Sequence, residues 1–591
     1  MRFLSLLPAA ALVLTGPTSA PLAAPRQDRS AAEADAESIC ARYLRGFEDE
    51  DSGPMVAMPV PVMEIAPSPP PPAPPPPPMA SPPPPPPVTP PPPPPMRQMV
   101  VTGTRTAPVT GAPVSGSAYK PSVENRERYA GAEVATAQSV ADTPVSTFSV
   151  DVDTGSYANV RRMLNADEMP PQSAVRTEEM LNYFRYDYPA PKDRSRPFTI
   201  TTDMTTTPWN AETRLLRVGL RGYDVARSER PAANLVFLID VSGSMHEPEK
   251  LPLVQCSLDL MARKLTSRDR VSIVVYAGAA GQVLAPTSDK TKVIEAISRL
   301  EAGGSTAGAE GIALAYRTAR ANMVEGGINR VILATDGDFN VGVTDNEALI
   351  DMVEREREAG ITLTTLGFGS GNYNEAMMEQ IADHGNGNYS YIDNPREAAK
   401  VLDEELSSTL FTIAKDVKIQ VEFNPSIVSE YRLIGYENRA LAEQDFDNDK
   451  VDAGDIGAGH QVTALYEVVP VGRKGWLPDR RYPANRAAPV GAPDWNGELA
   501  WLKLRYKLPD GDTSLLIEQP VRAAMIRRAS APAGDSAFAA AVAAFGQKLR
   551  GDPWLANFSY ADARRLAERS GRGDVLRREF LQLTERAERQ K

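Results

Sequence analysis

Asp240, Ser242 and Ser244 occupy alternate positions in the run LVFLIDVSGSM, from Leu235 to Met245. Carboxylate and hydroxyl oxygens at that spacing on one turn outline a site for a hard cation, because magnesium and calcium both take oxygen ligands. Two later loops carry more oxygen-bearing side chains. Gly303 to Gly308, GGSTAG, presents Ser305 and Thr306, and Asp336-Gly337-Asp338 follows the apolar run RVILAT. His246 directly follows the first turn and is expected as a surface residue, and no other base or nucleophile accompanies these residues, which assigns a metal here to recognition rather than to catalysis.

The run before Asp240 has no polar face, which reads as a parallel strand buried on both sides. Its abrupt end, with Gly243 in the break, suits a tight turn at the carboxyl end of a strand, where open α/β sheets hold their ligands. Leu251, Val254, Leu258, Met261 and Leu265 then form one stripe of a helix, with Pro252 in its first turn and Cys256 off the stripe. Arg270 to Tyr276 predicts a strand and Lys292 to Leu300 a helix, and Ile312, Tyr316, Ala319 and Met323 fall in register on another helix. Arg330 to Thr335 is a buried strand, after which Thr344 and Glu347 form a capping box for a helix running to Gly360. Ile361 to Phe368, Asn374 to Asp383 and Tyr389 to Ile392 read as strand, helix and edge strand. Asn394 and Pro395 start a last helix ending near Leu410. Such alternation specifies a doubly wound, mainly parallel α/β sheet of the Rossmann-like kind.

DVSGSM, GGST and ATDG, in that order, resemble the von Willebrand factor type A (VWA) domain and its metal-ion-dependent adhesion site. The resemblance implies a metal site of Asp240, Ser242, Ser244, Thr306 and Asp336, with the hydroxyls ligating directly and the aspartates acting mostly through water. Magnesium, which takes six oxygens at about 2.1 Å and keeps water readily, suits that set, with manganese and calcium as alternatives. Two carboxylates leave the ion underneutralised, so the expected partner is a protein offering a carboxylate of its own.

Longer stretches resemble the secreted bacterial VWA proteins of the YfbK type, over about Tyr119 to Arg586: STFSVDVDTGSYANVRRMLN, RVILATDGDFNVGVT, LGFGSGNYNEAMMEQIADHGNGNYSYID and KDVKIQVEFNPSIVSEYRLIGYENR. That family carries flanking domains on both sides of the VWA unit. It commonly shows DTAS where this chain has Asp153-Thr154-Gly155-Ser156.

The flanks are β-rich. Ser146 to Asp153, Pro197 to Met204 and Arg214 to Leu220 predict strands before the central unit, and Val175 to Tyr188 a helix carrying Met180, Leu181 and Phe184. Val417 to Phe423, Val462 to Val469, Leu499 to Tyr506 and Ser514 to Ile517 predict strands after it. One β-sandwich built from both flanks, with the VWA unit inserted, accounts for both sets, because domain termini commonly lie close together. Trp476, Trp495 and Trp501 are expected in its core or rim, and three amphipathic helices after Ala537 are expected to pack on it.

Composition sets the compartment and excludes some partners. A net charge of -12 and a pI near 5.1 argue against nucleic acid or an anionic membrane surface, both of which favour a basic face. Residues 1–24 hold one positive charge, a short apolar segment and small residues, the pattern of a cleaved secretory signal, with an uncleaved anchor as the alternative. Residues 66–95 are dominated by proline and form a stiff polyproline spacer within a disordered linker. Within that linker, Ala31 to Asp51 offers a short helix around Ile39 and Tyr43. Gln98 to Arg105, QMVVTGTR, resembles over a few residues the start of the plug in TonB-dependent receptors. It leans towards a Gram-negative periplasm or cell surface. Cys40 and Cys256, one in a tail and one in a helix, are not expected to bridge. The expected domains are 1–24 signal, 25–117 linker, 118–228 N-terminal flank, 229–412 VWA domain, 413–525 β-rich domain and 526–591 helices.

Enzyme signatures are sparse. His246, His384 and His460 lie in separate elements without metal-protease spacing, and there is no GxSxG elbow or phosphate loop. Asp153 to Ser156 matches the DTGS string of aspartic proteases, but no second copy supplies the paired carboxylate that chemistry needs, so a surface turn is expected. An envelope hydrolase using Asp153 or another flank site, and a structural tether through the proline spacer, stand as alternatives to adhesion or scaffolding.

Overall fold

The computed structural model describes residues 38–41, 43, 126–305, 308–337, 346–405, 408, 411–478, 494–509, 511–571 and 573–590. The signal, nearly all of the linker, Thr306, Asp338 and Thr344 lie outside the described residues.

The N-terminal flank contributes β1 (Gln138–Ser139), β2 (Val145–Ser149), β3 (Phe198–Thr206) and β4 (Arg214–Gly222). The central domain follows with β5 (Ala233–Asp240), β6 (Arg270–Tyr276), β7 (Ala280–Thr287), β8 (Ile328–Thr335), β9 (Thr362–Phe368) and β10 (Tyr389–Ile392). The chain returns through β11 (Thr412–Phe423), β12 (Val428–Ile434), β13 (Ala440–Leu441), β14 (Ile456–Gly457), β15 (Gln461–Pro470), β16 (Glu498–Lys507) and β17 (Ser514–Arg522).

In the central sheet the order is β10-β9-β8-β5-β6-β7, parallel throughout except for the antiparallel edge pair β6–β7. Every residue of β5 is buried, as its unbroken apolar run requires. Leu235, Phe237 and Ile239 pack in one core with the helix Leu251–Ala262, while Val236 and Leu238 join a second core with the helix Gly308–Ala321. The chain passes from β5 to β6 on one side and returns to β8 on the other. The crevice where strand order reverses therefore opens at the carboxyl ends of β5 and β8.

Two antiparallel sheets, β1-β12-β15-β4-β3 and β13-β2-β11-β16-β17, make the sandwich, and each mixes strands from before and after the central domain. Phe148, Val218, Val421, Tyr466 and Leu502 share its core. The helices Gly534–Leu549, Tyr560–Glu568 and Val575–Arg589 pack with Leu215, Ile434 and Leu465 in a separate core. Pro520 sits on β17, an edge strand, where a missing amide costs the ladder little.

Several expectations need correction. Cys40 and Cys256 form a disulfide. Residues 39–41 and 43 are helical, and Ile39 and Tyr43 pack on the core that includes the Leu251–Ala262 helix, so the face carrying Cys256 is covered and Cys256 is fully buried. Asp153 to Ser156 is no surface turn. All four residues are buried, and Gly155 opens a helix running to Asn165. A Cβ on Gly155 would stand 2.2 Å from Tyr389 Cε1, so the tyrosine ring occupies the space an alanine would need. The helix expected over 175–188 covers only Thr177–Asn182. Beyond it the Gln461 side chain accepts from Tyr186 N at 2.9 Å and donates to Tyr186 O at 3.0 Å, holding the chain out of the helix. β7 and β12 were not expected from the sequence. The Asn394 cap is present, accepting from Arg396 N and Glu397 N, but the α-helix it starts ends at Ala399 and continues as a π-turn over Lys400–Glu405.

Candidate metal centre

Asp240 is the last residue of β5 and is fully buried. Its Oδ1 accepts the Ser242 N–H at 2.9 Å, which folds the following turn back on the strand end. Its Oδ2 accepts from the Thr335 hydroxyl at 2.9 Å and the Tyr276 hydroxyl at 3.1 Å. These two residues end β8 and β6, the strands on either side of β5, so one carboxylate ties three strand ends together. The turn is narrow because Ser242 is extended and Gly243 to His246 form a single 3₁₀ turn. The Ser242 and Ser244 hydroxyls converge to 3.1 Å, the first buried and the second exposed.

The second loop is held against this turn by backbone hydrogen bonds, Gly243 N to Gly304 O at 3.0 Å and Gly303 N to Val241 O at 2.7 Å. That loop leads to Thr306, which lies outside the described residues. Asp336 follows β8 directly and is fully buried. Lys250 Nζ donates to its Oδ2 at 2.9 Å and Asn372 Nδ2 donates to the same oxygen at 3.2 Å. Gly337 adopts φ +82°, and a Cβ there would meet Asn374 N at 2.6 Å, so this loop can close only on glycine.

Burial pushes the Asp240 carboxyl up to about 6, with the Asp336 charge adding to the rise and hydrogen bonds from Ser242 and Thr335 opposing it. The Lys250 ammonium pairs with Asp336, while the partners of the Asp240 carboxylate are an amide and two hydroxyls, which leaves excess negative charge at the strand ends. Together with two converging hydroxyls, one of them open to solvent, this donor set fits a hard divalent cation that keeps some water. Among the described residues no three of His, Cys, Asp and Glu converge as a metal cluster.

Tyr276, Thr335, Lys250 and Asn372 were not singled out in the sequence. Tyr276 stands opposite Asp240 in the β5–β6 register, so the first is recoverable once strand pairing is known. Lys250 carries only the faint signal of a lone charge before an apolar helix, and Asn372 carries none. His246 is exposed beside the turn. Asp153 lies elsewhere, buried against the central domain, where it accepts from Tyr389 N at 3.0 Å and pairs with Arg439 at 3.5 Å.

Three family models match the chain: von Willebrand factor type A domain over 234–404, von Willebrand factor over 123–217, and Uncharacterized protein YfbK, C-terminal, over 408–590. Uncharacterized protein YfbK of Escherichia coli (strain K12) is 48% identical over 461 residues, covering 76% of this chain and 79% of that protein. The chain belongs to the YfbK family. Uncharacterized protein sll0103 of Synechocystis sp. shares 32% identity over 187 residues, 31% of this chain and 43% of its own. Among solved structures, a von Willebrand factor type A protein from Catenulispora acidiphila is 18% identical with a TM-score of 0.36, covering 66% of this chain and 89% of its own. BatB from Bacteroides thetaiotaomicron is 24% identical with a TM-score of 0.27, covering 30% and 97%. The assignment rests on the YfbK relative and the family models. At Gly155 of this YfbK-family chain, the Tyr389 ring fills the place a methyl would take.

Proposed function

We propose that this YfbK-family protein captures a protein partner at the cell envelope by completing a magnesium shell with the partner's carboxylate. The ligands in this reading are Ser242, Ser244 and Thr306 directly, with Asp240 and Asp336 through water. The observation that carries it is the pair of Ser242 and Ser244 hydroxyls, 3.1 Å apart above the buried carboxylate of Asp240 at the sheet's switch point. Bound there, the ion would supply a Lewis-acidic position for an external oxygen. Asp240 holds the turn that aims the hydroxyls, and Ser244 opens the site to solvent.

Export to a Gram-negative periplasm or cell surface fits the signal-like N-terminus and the Cys40–Cys256 disulfide, since such bonds persist in oxidising compartments. No helix among the described residues is long and apolar enough to cross a membrane. The buried, ion-paired setting of Asp153 supports a structural task for it and lends nothing to the hydrolase alternative. The test is capture from envelope extract on immobilised full-length protein, with magnesium or with EDTA, beside the D240A variant. Partners retained only by wild type with magnesium support the reading. Equal capture with EDTA or by D240A overturns it.

A further inference from the structure

Lys250 is buried, with 5% of its surface exposed, although long amines normally reach water. Its Nζ donates to Asp336 Oδ2 at 2.9 Å and to Asn372 Oδ1 at 3.2 Å, and Asn372 closes the triangle by donating to the same Asp336 oxygen. The surroundings are shaped to place it. Gly369, at φ +73°, passes so close that a Cβ there would lie 2.4 Å from both Cγ and Cε of Lys250. The lysine stem therefore runs in a slot that only glycine leaves open, and the slot ends on an aspartate assigned above to the metal shell.

Charge arithmetic shows what that cation does. Asp240 and Asp336 contribute two negative charges and Lys250 one positive charge, so the described side chains sum to one negative. A divalent ion would bring the sum over these three described side chains to one positive. Without Lys250 it would come to zero. We propose that Lys250 is a fixed counter-charge that loosens the site's hold on the metal and tightens the metal's hold on an anionic ligand. This rests on the magnesium reading above and names the residue that sets its ligand preference. A fixed ammonium repels the arriving ion and offsets part of the Asp336 charge that would hold it. Once the ion is bound, the leftover positive charge is neutralised by a carboxylate and by no neutral oxygen ligand. By linkage, the carboxylate must tighten metal binding by the same factor as the metal tightens carboxylate binding.

The experiment uses the full-length protein, Mn²⁺ as the ion, read by electron paramagnetic resonance of the free metal, and acetate as the carboxylate, read by water-proton relaxation of the Mn²⁺-loaded protein. Lys250→Gln removes the charge and keeps a donor, while Asn372→Asp leaves the lysine in place and cancels its charge. Lys250→Arg keeps the charge. The first two variants should each bind Mn²⁺ about tenfold more tightly and acetate about tenfold more weakly, a shift of about 1.4 kcal/mol each way, and Lys250→Arg should stay within about twofold of wild type. Should Lys250→Gln fail to fold, Asn372→Asp carries the test alone. Both affinities unchanged, or both weakened together, would overturn the role of Lys250. Wild type that takes up no Mn²⁺ would instead overturn the metal reading itself, before any variant is compared.

Discussion

Replacing Asp240 by asparagine should move metal response and fold stability in opposite directions. The carboxylate is fully buried and raised to about 6 from an ordinary 3.8. A carboxyl whose folded value lies above its unfolded one costs nothing at low pH, and the cost builds as pH rises from 3.8 through 6. Two units at about 1.4 kcal/mol each put that cost near 3 kcal/mol at pH 7.5 in metal-free protein. Asparagine removes the charge while its carbonyl still accepts the Ser242 N–H, but the Tyr276 and Thr335 hydroxyls lose their shared acceptor. At about 1 kcal/mol for each lost hydrogen bond, the net gain is about 1 kcal/mol. Magnesium at a hundred times its dissociation constant should add about 2.7 kcal/mol to wild type and nothing to the variant. Urea unfolding at pH 7.5 in EDTA and in magnesium reads both effects. The variant should match or exceed wild type in EDTA, and the order should reverse in magnesium. A variant clearly weaker in EDTA would refute the burial argument, and equal magnesium stabilisation of both proteins would refute the metal assignment.

Three further outcomes follow from buried groups elsewhere. His460 is buried, its Nδ1 accepts the Gly457 N–H at 3.3 Å, and burial with the Arg185 charge lowers it to about 3. A folded value below the unfolded 6.5 means that stability is complete above pH 6.5 and falls as pH drops towards 3. Between pH 7 and 4.5 wild type should lose about 3 kcal/mol more than H460Q in urea titrations, and parallel losses would rule this out. The bridge between Cys40 and Cys256, 216 residues apart, should appear as a linked peptide by mass spectrometry of the protein kept under oxidising conditions, with reduction lowering stability by up to about 5 kcal/mol; two free thiols in oxidised protein would contradict it. Glu127 Oε1 accepts the Gly371 N–H at 2.9 Å and pairs with Arg162 at 2.9 Å, so E127A should speed amide exchange at Gly371 about tenfold. Unchanged exchange there would show that backbone bonds alone hold this loop.

Legibility differed by element for physical reasons. β5, β6, β8, β9 and β10 were readable because doubly buried strands leave apolar runs and the helices between them leave stripes. β7 was not, because AGQVLAPT lies on an exposed edge and its burial has no clean period. The helix from Gly155 to Asn165 was hidden for another reason. It buries Asn159 and Arg161 beside its apolar residues, so no polar face marks it. The placement of Asp240, Ser242, Ser244 and Asp336 at strand ends was legible because loop residues flanking strands stand out in sequence. Lys250 and Asn372 were not, since what defines them is contact across 86 and 36 residues of chain with Asp336. The disulfide failed for the same reason: nothing local to Cys40 says which surface it will cover.

The insertion is not a loose one, and that bears on the candidate metal centre. Arg161 and Arg176 from the first flank and Arg439 from the second enter the central domain. Arg161 reaches Asp393 and Glu397, Arg176 reaches Glu375 and Glu379, and Arg439 reaches Glu379 and Asp383. Removing one side of such a buried pair costs about 3–5 kcal/mol, which fixes orientation even where the pair itself adds little net stability. Glu375 opens the helix immediately after the loop that carries Asn372. The other side of that loop is bound by Arg126 N to Gly371 O at 2.7 Å and Arg128 N to Tyr373 O at 2.8 Å, and Glu375 N donates to Arg128 O at 3.0 Å. The residue that positions Lys250 and Asp336 is thus held from both sides by the N-terminal flank. A VWA domain excised at 234–404 would keep Asp240 and its serines but lose this clamp. In a YfbK-family chain, the flanks belong to the architecture of the site as much as the sheet does.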